Sequence, residues 1–258
     1  MKLESKAAIV TGSATGIGAE TAKLLAAKGC NVVVNFTKSR SEAEETAAAC
    51  RQRGVDVIVQ QADVAQDVQC RAMVAAAIAK WGRVDVLVNS AGRTKPVPGG
   101  DLEALNAADF LDIYSVNLVG AYQMIRAVVP HMKAQGAGAI VNVSALGALT
   151  GEGSSMAYAA SKGALNSLTL SMARTLAPHV RVNAVCPGFV ATRWMKNILG
   201  EQRFIERVAE QEHTNPVGKV AYAEDIAEII LGYIDGPELI TGEVRAVDYG
   251  TRFGTLAR

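Results

Sequence analysis

Short runs rich in β-branched residues alternate along the chain with longer alanine-rich segments of helical periodicity. This alternation constrains the fold more than any other feature, because strands joined through helices run parallel and carry helices on both faces of their sheet. The runs are apolar without polar alternation, as expected for strands that are buried on both sides. The sequence therefore predicts an α/β fold, a single doubly wound domain with a seven-stranded, mostly parallel sheet. The predicted strands cover residues 7–11, 32–36, 55–60, 84–89, 139–144, 181–186 and 244–247.

Composition and charge limit the organisation of the chain and its partners. Half of the 258 residues are hydrophobic and 20% are charged, and no linker divides them, so we expect one domain over residues 1–258. The 26 Lys and Arg residues nearly balance the 25 Asp and Glu residues, which disfavours a nucleic acid partner. The sequence has no leader-like start, no run approaching ~18 apolar residues and no C-x-x-C pair. We therefore expect no membrane contact and a cytoplasmic location.

A glycine-rich turn joins the first strand to the first helix. Residues 11–18 read T-G-S-A-T-G-I-G, and a helical pattern over 19–28 follows at once and stops at Gly29. Glycines let the backbone approach a pyrophosphate closely, while the start of a helix offers free N–H groups to phosphates. Such a turn also occurs for purely structural reasons. Its place after the first strand favours a dinucleotide site of the Rossmann type, in which the cofactor-binding candidates are Gly12, Ser13, Thr15, Gly16, Ile17 and Gly18.

Tyr158 and Lys162 lie four residues apart in a helical pattern that runs from 156 to 176, so their side chains share one face. A free phenol has a pKa near ~10 and exchanges protons poorly at neutral pH, whereas a nearby ammonium group favours the phenolate. The pair is therefore suited to proton exchange with a substrate oxygen. Taken alone, Tyr158 is equally suited to be a core aromatic residue, and Lys162 to be a solvated cation.

The turn T-G-x-x-x-G-I-G and the Tyr158 and Lys162 spacing resemble the classical branch of the short-chain dehydrogenase/reductase family, over essentially the whole chain. The overall pattern is most similar to that of its 3-oxoacyl-carrier-protein reductases. The resemblance implies that Ser144, 14 residues before the tyrosine, hydrogen-bonds the reacting oxygen. It also implies that Asn117, in a long helix that includes 111–128, holds a water that relays protons from the lysine. The catalytic candidates are therefore Asn117, Ser144, Tyr158 and Lys162.

Further matches to the family extend the predicted cofactor site. The resemblance assigns an adenine contact to Asp63 and Val64 after the third strand, although Asp63 is also placed to cap a helix over 65–79. Residues 89–92 read N-S-A-G, in which Ser90 departs from the second Asn of the family, and residues 187–192 read P-G-F-V-A-T, which implies a loop over the nicotinamide. The added candidates are Asp63, Val64, Asn89, Ala91, Gly92, Pro187, Gly188, Val190 and Thr192, together with Tyr158 and Lys162.

The end of the second strand bears on the choice of nicotinamide. An acidic residue there accepts the ribose 2′-OH of NAD, and basic residues pair with the 2′-phosphate of NADP. Phe36 stands where the acid is expected, and Lys38 and Arg40 follow, as in NADP-using carrier-protein reductases. We therefore expect NADP(H). NAD(H) stays an alternative, because Thr15 stands where many NADP-using members carry an arginine.

The predicted function is NADP(H)-dependent hydride transfer between the nicotinamide and a small-molecule carbonyl or secondary alcohol, of the 3-oxoacyl reductase kind. The alternatives are an NAD-linked sugar, polyol or steroid dehydrogenase and a non-catalytic nucleotide-sensing protein. The three histidines share no ligand-like spacing, so no metal is expected.

Two irregular segments leave the carboxyl ends of strands, and both are candidate substrate walls. They cover residues 93–100 and 189–215, and the second is predicted to form a substrate lid. The resemblance further implies a homotetramer, built through the helices of Asn117 and Tyr158 and through the last strand. Small residues suited to close helix packing are Ala157, Ala160, Ala164 and Ser171. Residues 240–250 resemble the I-T-G-x-x-x-x-V-D-G-G of the family, with Tyr249 at the first of the final glycines.

Overall fold

The computed structural model describes residues 1–97 and 101–254. All seven predicted strands are present and form one sheet in the order β3-β2-β1-β4-β5-β6-β7, with every neighbouring pair parallel. The predicted fold class is confirmed. Residues 98–100 of one predicted substrate wall and residues 255–258 of the predicted domain lie outside the described residues. The strands are β1 Ala7–Thr11, β2 Asn31–Phe36, β3 Val57–Gln61, β4 Val86–Asn89, β5 Gly138–Val143, β6 Val180–Pro187 and β7 Val244–Val247.

Ten α-helices are described, together with a π-helical turn over Ser115–Gly120 and a 3₁₀ turn over Thr251–Phe253. Helices α1, α2 and α10 cover one face of the sheet, and α3, α5 and α7 cover the other. No helix in the described residues is long and apolar enough to cross a membrane. The helices are α1 Gly16–Ala27, α2 Arg40–Arg51, α3 Asp67–Trp81, α4 Ala107–Tyr114, α5 Ala121–Ala134, α6 Gly147–Thr150, α7 Met156–Leu176, α8 Arg193–Leu199, α9 Glu201–Thr214 and α10 Ala223–Asp235.

Strand β1 shows how both faces of the sheet are filled. Ala8 and Val10 pack with α1, α2 and α10, whereas Ile9 between them packs with α3, α5 and α7. All three side chains are fully buried. Successive side chains of a strand point to opposite faces, so an apolar run without alternation is what two covered faces require.

The helix expected over 111–128 is present, but it contains a π-helical turn. Helices α4 and α5 follow each other directly through this turn, which contains Asn117. The amide of Asn117 bonds the backbone of Arg93 in both directions, which fixes this turn against the segment after β4. Gly120 lies so close to Val64 that an added Cβ would stand 2.6 Å from its Cγ2 atom. The wider turn and the absence of a side chain at Gly120 let the helix pass the loop that follows β3.

The helix expected over 65–79 begins later, at Asp67, with Gln66 as its N-cap residue. Asp63 is therefore not a helix cap. Its carboxylate accepts the N–H of Ala65 at 2.9 Å, in a turn that precedes the helix. Short polar side chains compete for backbone donors in this way at turns as well as at helix starts.

Strands β1 and β4 are paired although two strands separate them in sequence. Strand β2 lies on one side of β1 in the sheet, and β4 lies on the other side of β1. A crevice forms where such a sheet reverses its direction of winding, outside the carboxyl ends of the strands. Here those ends are Thr11 and Asn89, which are register partners.

Candidate active site

A cleft of about 730 Å³ opens at this reversal point. Its walls come from the glycine turn, the ends of β2, β4 and β5, the start of α7 and the segment 187–211. The volume lies within the ~300–1,000 Å³ that is typical of small-molecule sites. Among the residues that the structure describes, no three His, Cys, Asp or Glu side chains are grouped as metal ligands.

The glycine turn comes into very close contact with the segment after β4. Gly12 has a φ of +63°, and a Cβ atom added there would stand 2.8 Å from the Cα atom of Ala91. A Cβ atom at Gly18 would stand 2.6 Å from the carbonyl oxygen of Gly12. Neither position accepts a larger residue without movement of the backbone. The turn is a cradle in which the main chain itself forms the wall.

The first residues of α1 face this cradle. Thr15 is the N-cap residue, but its side chain caps no N–H group, and the first turn carries no acidic residue. Thr15, Gly16 and Ile17 line the cleft. Uncapped N–H groups and the positive end of the helix dipole suit an anion. The cradle and the helix start therefore fit the pyrophosphate of a dinucleotide.

Asn35, near the end of β2, holds the turn in place. Its Oδ1 atom accepts the N–H of Gly12 at 3.0 Å, and its Nδ2 group donates to the carbonyls of Gln60 and Ala62 at 3.2 and 3.0 Å. One buried amide thus fixes the turn against two neighbouring strands. Ser13 adds a second link, because its hydroxyl donates to the carbonyl of Val10 and accepts the N–H of Asn35.

Tyr158, Lys162 and Ser144 line the same cleft. Helix α7 begins at Met156 because the hydroxyl of Ser155 caps it by accepting the N–H of Tyr158 at 3.2 Å. One turn later, Lys162 donates from its Nζ atom to the carbonyl of Val143 at 2.8 Å. This bond holds the ammonium group 5.7 Å from the ring centre of Tyr158. The hydroxyl of Ser144 donates to the carbonyl of Lys162 at 3.2 Å.

Burial shifts the titration of both groups on α7. It raises the pKa of the Tyr158 phenol to about 12, because the anion loses its hydration. It lowers the pKa of Lys162 to about 8, because the buried cation is penalised in the same way. At neutral pH the phenol therefore carries its proton, and the lysine is still mostly charged.

Asn117 lies behind the cleft and not at its wall. Its Nδ2 group donates to the carbonyl of Arg93 and to the hydroxyl of Ser161, both at 2.9 Å. Its Oδ1 atom accepts the N–H of Arg93 at 2.7 Å. A Cβ atom at Gly92 would stand 3.7 Å from this Oδ1 atom and 3.9 Å from the Nζ atom of Lys162, so both side chains lie next to Gly92.

The structure brings most of the predicted cofactor residues to the cleft. The remaining candidates lie behind or beside the cleft. Ser13, Gly18 and Asn89 support its walls, and Val64 is buried in the core. Asp63 lies in the turn before α3, and Lys38 and Arg40 are exposed at the rim of the cleft. Those that line the cleft are Gly12, Thr15, Gly16, Ile17, Ala91, Gly92, Tyr158, Lys162, Pro187, Gly188, Val190 and Thr192.

Several lining residues are absent from the sequence-based set, notably Asn35, Arg207 and Gln211. Asn35 has a sequence signal, since it is an amide between the apolar residues Val34 and Phe36, near the end of the β2 run N-V-V-V-N-F. A buried amide at a strand end needs several hydrogen bonds and so indicates a structured turn nearby. Arg207 and Gln211 have no comparable signal, because polar residues are common on exposed helices.

Known proteins resemble this chain over nearly its full length. A family model described as short chain dehydrogenase matches residues 6–203. A protein named as ketoacyl reductase 2 of the granaticin polyketide synthase, from Streptomyces violaceoruber, is 40% identical over 248 residues, with 96% of each chain covered. A 3-oxoacyl-[acyl-carrier-protein] reductase from Staphylococcus aureus is 34% identical, covering 95% of this chain and 98% of the relative. A solved structure described as a short-chain dehydrogenase/reductase, from Burkholderia xenovorans, has a TM-score of 0.89 and 38% identity, covering 96% of this chain and 98% of that one.

Substitution of Gly12 tests whether the close backbone contact in the cradle is required. We expect Gly12→Ala to lower stability and to weaken dinucleotide binding roughly tenfold or more, because the methyl group displaces Ala91 from the cleft wall. Gly54→Ala is the control, since Gly54 also has a positive φ, of +82°, but open space around it. Both changes share the ~1–2 kcal/mol cost of a left-handed alanine. Thermal unfolding and fluorescence titration with NADPH separate the two effects, and equal affinity in both variants would contradict the cradle.

Proposed function

The chain belongs to the short-chain dehydrogenase family and is an NAD(P)-dependent oxidoreductase of alcohol and carbonyl groups; on this premise we propose that it reduces ketones of the 3-oxoacyl type with NADPH. One observation carries the proposal. Ser144, Tyr158 and Lys162 meet in one cleft, with the ammonium group of Lys162 beside the ring of Tyr158. A protein that only senses a nucleotide has no use for this arrangement.

Ser144, Tyr158 and Lys162 have different roles in the protonation of a carbonyl oxygen. When bound, the reduced nicotinamide supplies a hydride to the carbonyl carbon. Ser144 donates a hydrogen bond to the oxygen as its negative charge grows. Tyr158 donates its phenolic proton to the same oxygen, and its raised pKa keeps that proton in place at neutral pH. Lys162 stabilises the phenolate that remains, through its adjacent positive charge.

Asn117 acts, in this proposal, as a positioning residue. Its amide hydrogens are already donated to Arg93 and Ser161, and Ser161 lies on α7 between Tyr158 and Lys162. The residue therefore ties α7 to the segment after β4. We propose that the proton relay implied by the family resemblance passes Asn117 through the space next to Gly92.

The rim of the cleft supports NADP(H) over NAD(H). Phe36 lines the cleft where an acidic residue would bind a ribose 2′-OH, and the guanidinium of Arg40 lies 5.1 Å over its ring. Lys38 and Arg40 form no ion pair with any described residue. Glu42, the nearest acid on α2, is bound by Arg193 instead, which holds the pKa of that carboxyl below its usual value. The two cations are therefore available to a 2′-phosphate.

The lining of the lid supports a ketone with an apolar body. The segment 189–215 forms α8 and α9 and contributes apolar side chains to the cleft, among them Phe189, Met195, Ile198 and Leu199. A sugar or polyol would leave these surfaces unmatched. The names of two relatives, a ketoacyl reductase and a 3-oxoacyl-carrier-protein reductase, point to the same class of substrate.

Replacement of the proton donor tests the proposed reaction. Tyr158→Phe keeps the ring and removes the hydroxyl, so we expect kcat for ketone reduction to fall by ~10²–10⁴-fold, with NADPH binding retained. Tyr122→Phe, at an exposed position on α5, is the matched control. Wild-type turnover by the Tyr158 variant would rule the mechanism out.

Removal of the two rim cations tests the choice of cofactor. Each charge-assisted contact to a phosphate is worth ~1 kcal/mol or more, so Lys38→Ala with Arg40→Ala should weaken NADPH roughly tenfold per residue. The affinity for NADH should change little. Titration with both cofactors gives the NADPH/NADH affinity ratio. Added salt should lower the preference of the wild type for NADPH, because it screens the contact with the phosphate.

The matched control is Arg51→Ala with Arg53→Ala, which removes one cation from the last residue of α2 and one from the turn that follows it. It changes net charge equally and should leave the NADPH/NADH ratio unaltered. A ratio that is unchanged by loss of Lys38 and Arg40 would show that both are solvated residues of the helix start.

We further propose a homotetramer. Large apolar side chains are exposed on α4, α5, α7 and the π-helical turn, including Leu111, Val119, Tyr122 and Leu170. Exposed apolar surface of this kind favours a protein contact. We expect a tetramer in sedimentation equilibrium at micromolar concentration, and a smaller species for Leu111→Glu with Leu170→Glu. Val68→Glu, at an equally exposed position on α3, is the control, and a monomeric wild type would refute the proposal.

A further inference from the structure

Helix α9 carries two polar residues into the cleft at a place that the proposed reaction does not use. Arg207 and Gln211 are four residues apart and share one face of the helix. Both line the cleft, together with apolar residues of α8. We call Arg207 and Gln211 the α9 polar pair.

Gln211 is buried, with 5% of its surface exposed. Its backbone carbonyl accepts a hydrogen bond from Asn215 at 2.6 Å, but its side-chain amide bonds no residue in the described ranges 1–97 and 101–254. A glutamine amide offers two donors and an acceptor. Its Nε2 and Oε1 atoms are not among the fully buried side-chain atoms that lack a partner, so they are open to the cleft that Gln211 lines. An amide that opens into a cleft and bonds no described residue is available to a ligand group.

Arg207 is held at the same wall by two contacts. Its guanidinium lies 5.9 Å over the ring of Phe189, and its Nη1 atom bonds Glu210 at 3.1 Å. Glu210 is shared with Arg203, which bonds it at 2.6 Å. These contacts fix the guanidinium and leave several of its five N–H groups without a bond to a described residue.

The surroundings of the pair define the rest of the ligand. Met195, Ile198 and Leu199 line the cleft beside it. A ligand that satisfies the pair must therefore present an oxygen acceptor at the end of an apolar body. Arg203 and Arg207 face Glu206 and Glu210 within one ion-pair group, so the local charge is balanced. A neutral carbonyl and a carboxylate both meet this description.

We propose that the α9 polar pair is a specificity site that binds a second oxygen acceptor, a carbonyl or a carboxylate, carried by the ketone substrate beyond its reacting carbonyl. This inference rests on the proposed function for the reacting end of the substrate. It assigns the other end to donors on α9 and the body between them to the apolar wall of α8.

The test uses three matched series of methyl ketones. The first carries a terminal carboxylate after two to six methylene groups, the second the corresponding methyl ester, and the third an isopropyl group of the same shape as the carboxylate. We expect kcat/KM at the best spacing to be at least tenfold higher for a member with the oxygen acceptor than for its isopropyl counterpart. A preference for the carboxylate that falls with salt identifies the acceptor as anionic, and an equal preference for the ester identifies a carbonyl.

Substitutions on α9 assign this preference to the pair. Gln211→Met and Arg207→Met should each lower kcat/KM about fivefold or more for the oxygen-bearing ketones and leave the isopropyl ketones within twofold. Gln202→Met and Arg203→Met are the controls, because both residues lie on α9 but outside the cleft, and Arg203 shares the Glu210 partner of Arg207. Gln211→Met should also leave Tm nearly unchanged, since the amide bonds no described residue, whereas loss of a structural glutamine would lower it.

A binding measurement separates this inference from the proposed function. Trp194 lines the cleft, and in a Trp81→Phe background it is the sole tryptophan, so its fluorescence reports ligand binding to the enzyme with NADP⁺ present. If no ketone is reduced but the acceptor-bearing series binds more tightly through Gln211 and Arg207, the proposed function fails and the site stands. If ketones are reduced with no preference at any spacing, or if the variants lower all series alike, the site is refuted. Absence of both turnover and binding refutes it as well.

Discussion

The direct pairing of β1 with β4 is the constraint on which the site depends. It brings Thr11 beside Asn89, so that the two loops leaving these strands must share one narrow space. The hydroxyl of Thr11 accepts the N–H groups of Ser90 and Ala91, both at 3.1 Å, and locks the loops together. Only glycine at position 12 leaves room for this approach. The cradle, whose shape fits a pyrophosphate, is thus a consequence of strand order and backbone contact, and not of any single polar side chain.

The part of the cleft that holds Tyr158 and Lys162 is built at a cost in stability. Lys162 is almost fully buried, and its bond to Val143 is the contact that positions its charge. Its folded pKa of about 8 lies below the unfolded value near ~10.4, so the protonated lysine opposes folding at neutral pH by about 3 kcal/mol, a cost that disappears as pH rises between these two values. Burial also keeps the Tyr158 phenol protonated. The same desolvation that weakens the fold therefore prepares an acid and a cation next to each other.

Much of this architecture could be predicted from the sequence because it depends on local pattern. The seven apolar runs identify the strands, and the helix predicted over 156–176 has the observed bounds Met156–Leu176, since a capping serine and a helical period are both visible in sequence. The π-helical turn around Asn117 could not be predicted in this way. It depends on bonds to Arg93 and on the passage of Gly120 beside Val64, contacts between segments that are distant in sequence. The polar residues of segment 189–215 that line the cleft, Arg207 and Gln211, could not be predicted for the same reason. In sequence they resemble the polar residues of any exposed helix.

Two buried amides show what separates a structural residue from a site residue. Asn35 accepts one hydrogen bond and donates to the carbonyls of two further residues, so its capacity is used within the protein. Gln211 has a similarly small exposed fraction, yet its amide bonds no residue in the described chain and its polar atoms stay open to the cleft. Residue type and residue burial are nearly the same in the two cases, and the difference lies in the geometry of their neighbours. The Asn35 amide is used up in holding the turn, whereas the Gln211 amide is left available to a ligand in the cleft, which is why we assign it to the proposed specificity site.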